Sequence, residues 1–357
     1  MVRRRLFLVR ALVVAVAAWT AAWPARPTAT RAIPLPERLS DQEFWKIITD
    51  YSEPSGTFHS ENLVSNEARF QGIVPSLVER AVQGRAYVGV GSEQNFTYIA
   101  ALHPDVAFIV DLRRGNLDLH LAYKALFEMS ADRADFVSHL FSKARPAGLG
   151  AGSTADQIFA AYERVPSSRA LYDQNLKAIE TRLASTHGFA LSDGDRDGLS
   201  FVYGSWFEGG PDLRYQLNTG FGGRGMGFPT YADLMTATDG AGQNRSYLAT
   251  EDNFRFLKDL ETRNMLVPVV GNFGGPKALR AVGAWLKAHD QIVSAYYLSN
   301  VEQYLRQDGL WEIWCANTAT LPLDRTSTFI RSQSGAGGFA LSLGAIQTEV
   351  GACGAGR

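Results

Sequence analysis

An α/β fold is predicted for this chain: a doubly wound, mostly parallel sheet carrying a helical insertion. The first observation behind it is the stretch Arg85 to Asn116. An apolar run, Ala86-Tyr87-Val88, breaks into the turn Gly89-Val90-Gly91-Ser92-Glu93-Gln94. A helical segment follows from about Asn95 to Leu102 and stops at His103-Pro104, because the residue before a proline is pushed out of the helical region. A second apolar run, Val106 to Val110, then ends on Asp111. The second observation repeats the grammar: Leu266 to Val270, a glycine turn at Gly271 to Gly275, a helix over Lys277 to His289, and a strand over Ile292 to Leu298. The third is general. Parallel strands joined right-handedly build one sheet and present their carboxyl ends along one edge.

The first turn narrows the ligand. A dinucleotide fingerprint places a third glycine three residues after Gly91, where helix and strand pack closely beneath a pyrophosphate, and this chain has Gln94 there. Two glycines and an acid, Asp111, about 20 residues further on suit a nucleoside ligand such as S-adenosylmethionine better. The structural alternative leaves Gly89 and Gly91 to the turn and pairs Asp111 with Arg113 or Arg114.

Met1 to Arg31 reads as a targeting segment. Arg3, Arg4 and Arg5 precede an apolar core, and small residues at Ala22, Ala25, Ala29 and Ala32 offer processing sites. Arg4-Arg5-Leu6-Phe7-Leu8 also fits a twin-arginine export signal. Export, to a periplasmic location, is the expectation; an uncleaved membrane anchor is the alternative. About 325 residues remain, enough for one large domain with an insertion or two modest ones. The formal charge of −1 gives no footprint for nucleic acid. Cys315 and Cys353 either pair once, clipping the tail down, or stay buried and unpaired. The six histidines show no metal-ligand spacing, so no metal is expected.

Five segments are expected: an export signal over 1–32, N-terminal helices with the first βαβ unit over 38–114, a helical insertion over 115–197, the rest of the α/β domain over 198–332, and a C-terminal tail over 333–357. Ser40-Asp41-Gln42-Glu43 is a capping box that starts the first helix. The polar loop Ser52 to Glu67, with His59, Glu61, Asn62 and Asn66, reads either as a flap over a ligand or as a solvated connection. Helices are expected over Phe70 to Val82, through Leu117 to Phe141, over Thr154 to Arg164 and over Ser168 to Thr186. Leu199-Ser200-Phe201-Val202-Tyr203, within Gly198 to Trp206, reads as a third strand. The glycine-rich stretch Gly209 to Gly227 lacks a phosphate-loop lysine, and Arg224 is its one candidate anion contact. Thr250 starts another helix. Pro268 would remove a ladder hydrogen bond from a central strand. Ser299-Asn300-Val301-Glu302 reads as a second capping box.

Gly89, Gly91, Asp111, Asn272 and Asn300 all fall at expected carboxyl ends of strands. They are expected to line one crevice, with the Ser52 to Glu67 loop near its mouth. YVGVGSEQNFTYIAALHPDVAFIVDLRRGNL, VPVVGNFGGPKALRAVGAWLKAH, AYYLSNVEQYL and STFIRS together resemble a bacterial family of uncharacterised proteins with a Rossmann-like, methyltransferase-like fold. The resemblance spans about Leu39 to Cys353. It implies that Gly89, Gly91 and Asp111 contact S-adenosylmethionine; Glu93, Asn95, Asn272 and Asn300, on the same turns and strand ends, are further candidate contacts. Two functions follow. One is an S-adenosylmethionine-dependent methyltransferase acting on a small molecule, with Glu302, Tyr304 or Glu93 as candidate base. The other is an exported, non-catalytic protein that binds a small ligand in the same crevice.

Overall fold

The computed structural model describes residues 33–216, 227–335 and 338–353. The leader, Arg224 and most of the glycine-rich stretch lie outside them. The described residues form one six-stranded sheet in the order β3-β2-β1-β4-β5-β6. Its strands are β1 (Ala86–Gly89), β2 (Val106–Asp111), β3 (Leu266–Val270), β4 (Val293–Ser299), β5 (Thr328–Gly335) and β6 (Gly338–Ala345). The first five are parallel, and β6 turns back antiparallel on β5. Every residue of β1, β2 and β3 is buried, which is why these strands are continuous apolar runs rather than alternating ones. Pro268 sits opposite Ile109 on β3, an edge strand, where a missing donor is tolerated.

Ser40 caps α1 (Asp41–Tyr51) with the expected reciprocal bonds to Glu43. A tight turn over Phe70–Ile73 leads into α2 (Val74–Arg80), and α3 (Gln94–Leu102) joins β1 to β2. His103 closes α3 in the left-handed region, at φ 45°, before Pro104.

The connection from β2 to β3 is long and helical. It contains α4 (Arg114–Met129), α5 (Arg133–Phe141), α6 (Ala155–Glu163), α7 (Arg169–Glu180) with a π-helical turn over Thr181–Thr186, α8 (Asp193–Gly209), α9 (Tyr231–Thr236) and α10 (Glu251–Thr262). The stretch expected as a third strand is the body of α8. Ser192 opens this helix with a capping box to Asp195. Leu199, Val202, Tyr203 and Trp206, at helical spacing, are buried, while Phe201 is 53% exposed. The run is rich in strand-favouring residues, but its burial follows a period of 3.6.

After β3 come α11 (Ala278–Ala288), then β4, α12 (Val301–Gln307), α13 (Trp311–Thr318), the β5–β6 hairpin and α14 (Ile346–Cys353). The residues expected as a tail therefore hold the end of β5, the whole of β6 and a helix. Cys315 on α13 and Cys353 on α14 are joined in a disulfide.

Helix α10 packs on α3 and α4, and α11 packs on α1 and α13. Chain travel across the sheet explains this. It moves from β1 out to β3, then jumps to β4 on the far side of β1, and right-handed crossovers in opposite directions put their helices on opposite faces. Phe96 on α3 locks the first layer, standing edge-on to Tyr123, Phe127 and Tyr247 at 5.0, 5.4 and 5.3 Å.

Candidate functional site

The direction of travel reverses between β1 and β4, so the loops leaving these two strands diverge to opposite faces and open a crevice above them. A cavity of about 520 Å³ occupies it. Gly91 after β1, Asp111 at the end of β2, Asn272 after β3 and Asn300 after β4 all line it. Phe58, Tyr215, Phe228 and Tyr304 add aromatic walls. Gly91 has φ +80°, a conformation in which a side chain would be strained, and its backbone faces the cavity bare.

The turn beneath is built from buried side chains. Asn95 donates to the carbonyls of Val90 and Ser92, both at 2.8 Å, and accepts from the Tyr87 hydroxyl at 2.9 Å. A Cβ on Gly89 would fall 2.0 Å from Asn95 Oδ1. His120 on α4 lies 2.9 Å from the Gly91 carbonyl through Nε2. That bond requires a proton on Nε2. Burial pushes the imidazole pKa down to about 4, so His120 is neutral and holds the turn as a donor.

The polar loop from Ser52 to Glu67 crosses the strand ends on several supports. Glu53 N donates to Val270 O at 2.8 Å, and the Ser52 hydroxyl accepts from Val270 N. The Glu53 carboxylate accepts from the backbone N of Asn272, Lys277 and Ala278, an anion at the start of α11. Gly56 N bonds Leu112 O at 2.7 Å. Arg113 ties the loop to β2: its guanidinium bonds both Asp111 oxygens, at 3.2 and 3.3 Å, and the carbonyls of Ser60 and Glu61. The Arg113 backbone N also donates to Asp111 Oδ1 at 2.9 Å.

The loop ends in a buried network under the cavity floor. Glu67 Oε1 accepts from Tyr297 at 3.0 Å and from Ser299 at 2.8 Å, and Oε2 accepts from Gln94 Nε2 at 2.6 Å. Gln94 also donates to Tyr98 at 2.7 Å and accepts from the Ser65 hydroxyl. Gln94, Ser65, Tyr297 and Ser299 line the cavity, and burial raises the Glu67 carboxyl above its ordinary range. Beside it, Glu93 accepts from Ser65 N at 3.0 Å, and burial pushes its pKa up to about 7.

Of the residues singled out from the sequence, Gly91, Asp111, Asn272, Asn300 and Tyr304 come together on the cavity wall. Gly89, Glu93 and Asn95 are packed beneath the glycine turn and do not line it. Glu302 faces elsewhere, pairing with Arg331 at 2.8 Å beside a second groove. The expected Ser299–Glu302 capping box is not formed. The helix begins one residue later, after Asn300, and the two side chains are committed to Glu67 and Arg331. Sequence reading also missed the joint role of Glu67 and Gln94, the His120 bond and the Arg113 support. Each joins residues at least 27 positions apart, as with Glu67 and Gln94, so no local pattern announces it. Among the described residues no group of three or more His, Cys, Asp or Glu side chains is placed to hold a metal ion. Nor is any helix among them long and apolar enough to cross a membrane.

No curated protein matches the chain. A profile described as a domain of unknown function, DUF7790, matches residues 62–193 and 214–346, a span that takes in the glycine turn, Glu67, Asp111 and the ends of β3 and β4. The chain belongs to the DUF7790 family.

Proposed function

We propose that this protein is Rossmann-like and binds an adenosyl ligand of the S-adenosylmethionine class, and that it methylates a small acceptor held beside that ligand. The observation that carries the reading is the position of the cavity: it lies where the strand order reverses, with the bare Gly91 backbone at one end and Asn300 at the other. The residues present fit such a group. Gln94 fills the place of a third glycine with a buried, fully engaged side chain, which disfavours a pyrophosphate and leaves room for a nucleoside. Asp111 stands at the end of β2 on the cavity wall. Arg113 uses three of the roughly four acceptor positions of an ionised carboxylate, leaving one for a ribose hydroxyl. Aromatic rings on the walls offer stacking surface for a base. Once bound, S-adenosylmethionine would supply an electrophilic methyl group. The protein's contribution is to exclude water with the 52–67 loop and to hold the acceptor in line, and positioning of this kind suffices for a good nucleophile.

Calorimetry tests the reading. S-adenosylmethionine and S-adenosylhomocysteine are expected to bind, and NAD is not. Absence of heat with both adenosyl compounds would overturn it.

A second reading, an exported non-catalytic protein that binds another small ligand, is favoured by the Cys315–Cys353 disulfide, since such bonds persist in oxidising compartments. Mass spectrometry of small molecules released from protein purified from its native host separates the two.

A further inference from the structure

We infer that the cavity floor is a proton-accepting subsite in which Glu67, working through the Ser299 hydroxyl, takes up a proton from a hydroxyl or ammonium group of the bound molecule. The inference deepens the proposed function and rests on its assignment of the cavity as a small-molecule site.

Three features of β4 and its neighbours converge on this carboxyl. Between Tyr297 and Ser299 the register of β4 against β5 shifts, an irregularity at the carboxyl end of the strand. Ser299 then adopts φ +50°, a left-handed conformation that a serine takes only where its surroundings impose it. Tyr297 and Ser299 both donate to the same oxygen, Glu67 Oε1, while Ser299 lines the cavity. Gln94, from the β1 side of the crevice, holds the other oxygen. Glu67 thus bridges the two diverging loops at the reversal point, one hydroxyl away from the ligand space.

The chemistry balances without a further reactant. The ligand's O–H or N–H proton passes to Ser299 Oγ as the serine's own proton passes to Glu67 Oε1. The carboxylate becomes a carboxylic acid, and no other bond is made or broken. Burial raises the Glu67 carboxyl above its ordinary range, and the donors on its two oxygens offset part of that rise by favouring the ionised form. The titratable groups facing Glu67 are Tyr87 on β1, Tyr98 on α3 and Tyr297 on β4, all phenols held neutral by burial, with Glu93 one link away across Ser65. Among the described residues no Lys, Arg or His side chain is bonded to Glu67. A structural carboxylate in such a setting would ordinarily be paired with a cation.

The test measures affinity against pH for the wild type, Glu67→Gln and Ser299→Ala, using S-adenosylhomocysteine and a panel of small alcohols and amines that includes ethanolamine and glycerol. Because the group acts in its ionised form, wild-type affinity should fall by up to about tenfold per pH unit once pH drops below the Glu67 midpoint. Glu67→Gln should lose that Glu67-dependent slope. Ser299→Ala should bind more weakly and with a shallower slope. His59, Asp111 and Asp308 also line the cavity but are common to all three proteins, so the difference isolates Glu67. A flat wild-type profile, or a wild-type slope retained in Glu67→Gln, overturns the inference. If Glu67→Gln fails to fold by circular dichroism, a wild-type slope in Ser299→Ala overturns it instead. If S-adenosylhomocysteine is silent while an alcohol or amine binds with the Glu67-dependent slope, the adenosyl reading falls and this one stands. If S-adenosylhomocysteine binds without pH dependence, the reverse holds. If nothing binds, both fall.

Discussion

Exchanging Arg113 for methionine should loosen the roof of the cavity and destabilise the fold together. The side chains of Arg113 and Asp111 are 7% and 6% exposed, so Arg113→Met leaves a buried carboxylate without its cation. It also strips a donor from the carbonyls of Ser60 and Glu61. Breaking a buried pair in this way costs about 3–5 kcal/mol. The guanidinium–carboxylate distances of 3.2 and 3.3 Å are longer than those of the strongest charge-assisted bonds, which places the expected loss near the lower end, at about 3 kcal/mol. For a protein of this size that corresponds to a fall in melting temperature on the order of 4 °C. Thermal unfolding measures it, and limited proteolysis should show faster cleavage between residues 52 and 67. Adding Asp111→Asn should recover part of the loss, because the orphaned charge is gone, and a double-mutant cycle should give a coupling of about 2 kcal/mol. A loss below about 1 kcal/mol with unchanged cleavage would refute the reasoning. The Glu53 and Gly56 bonds would then carry the loop alone.

Two further outcomes follow from the turn. Gly89→Ala should cost about 2–4 kcal/mol in chemical denaturation, since the new methyl meets Asn95 and Tyr87 and forces out the side chain that bonds Val90 and Ser92; Gly89→Ala combined with Asn95→Ala should cost less than the two changes summed, and strict additivity would argue against the clash. Glu93→Gln should alter the pH dependence of stability. Because burial raises the folded pKa from 4.5 to about 7, the folded state keeps a proton that the unfolded chain releases, and wild-type stability falls as pH rises through that window. The variant should match wild type near pH 4 and exceed it by up to about 3 kcal/mol near pH 8, and equal melting temperatures at both would sink the assignment.

The parts of the site readable in advance were those announced by local chemistry. Gly91 and Asp111 follow apolar runs buried on both faces, and such runs can end only at the rim of a parallel sheet. Asn272 and Asn300 follow the same rule. Ser299 and Glu302 were misread because a capping box is a pattern of residue types, whereas cap geometry depends on where the helix starts, here after Asn300. The β5–β6 hairpin escaped notice because its sequences, TFIRSQSG and GFALSLGA, are interrupted by polar residues suited to the sheet's outer end. The α8 segment misled in the opposite sense, with strand-like composition on a helical period.

What the sequence by itself determined is the succession of elements around two glycine turns, the starts of α1 and α10 at Ser40 and Thr250, and the edge along which the strand ends gather. These depend on residues within about one turn or one strand of each other, where propensity and hydrophobic period act directly. Only the tertiary structure decided which chains of side chains meet at that edge: Arg113 on the carbonyls of Ser60 and Glu61, His120 on Gly91, and Glu67 under Gln94, Tyr297 and Ser299. A buried polar group must find its partner wherever packing places one, and separations of up to 232 residues, as between Glu67 and Ser299, leave no trace in local sequence.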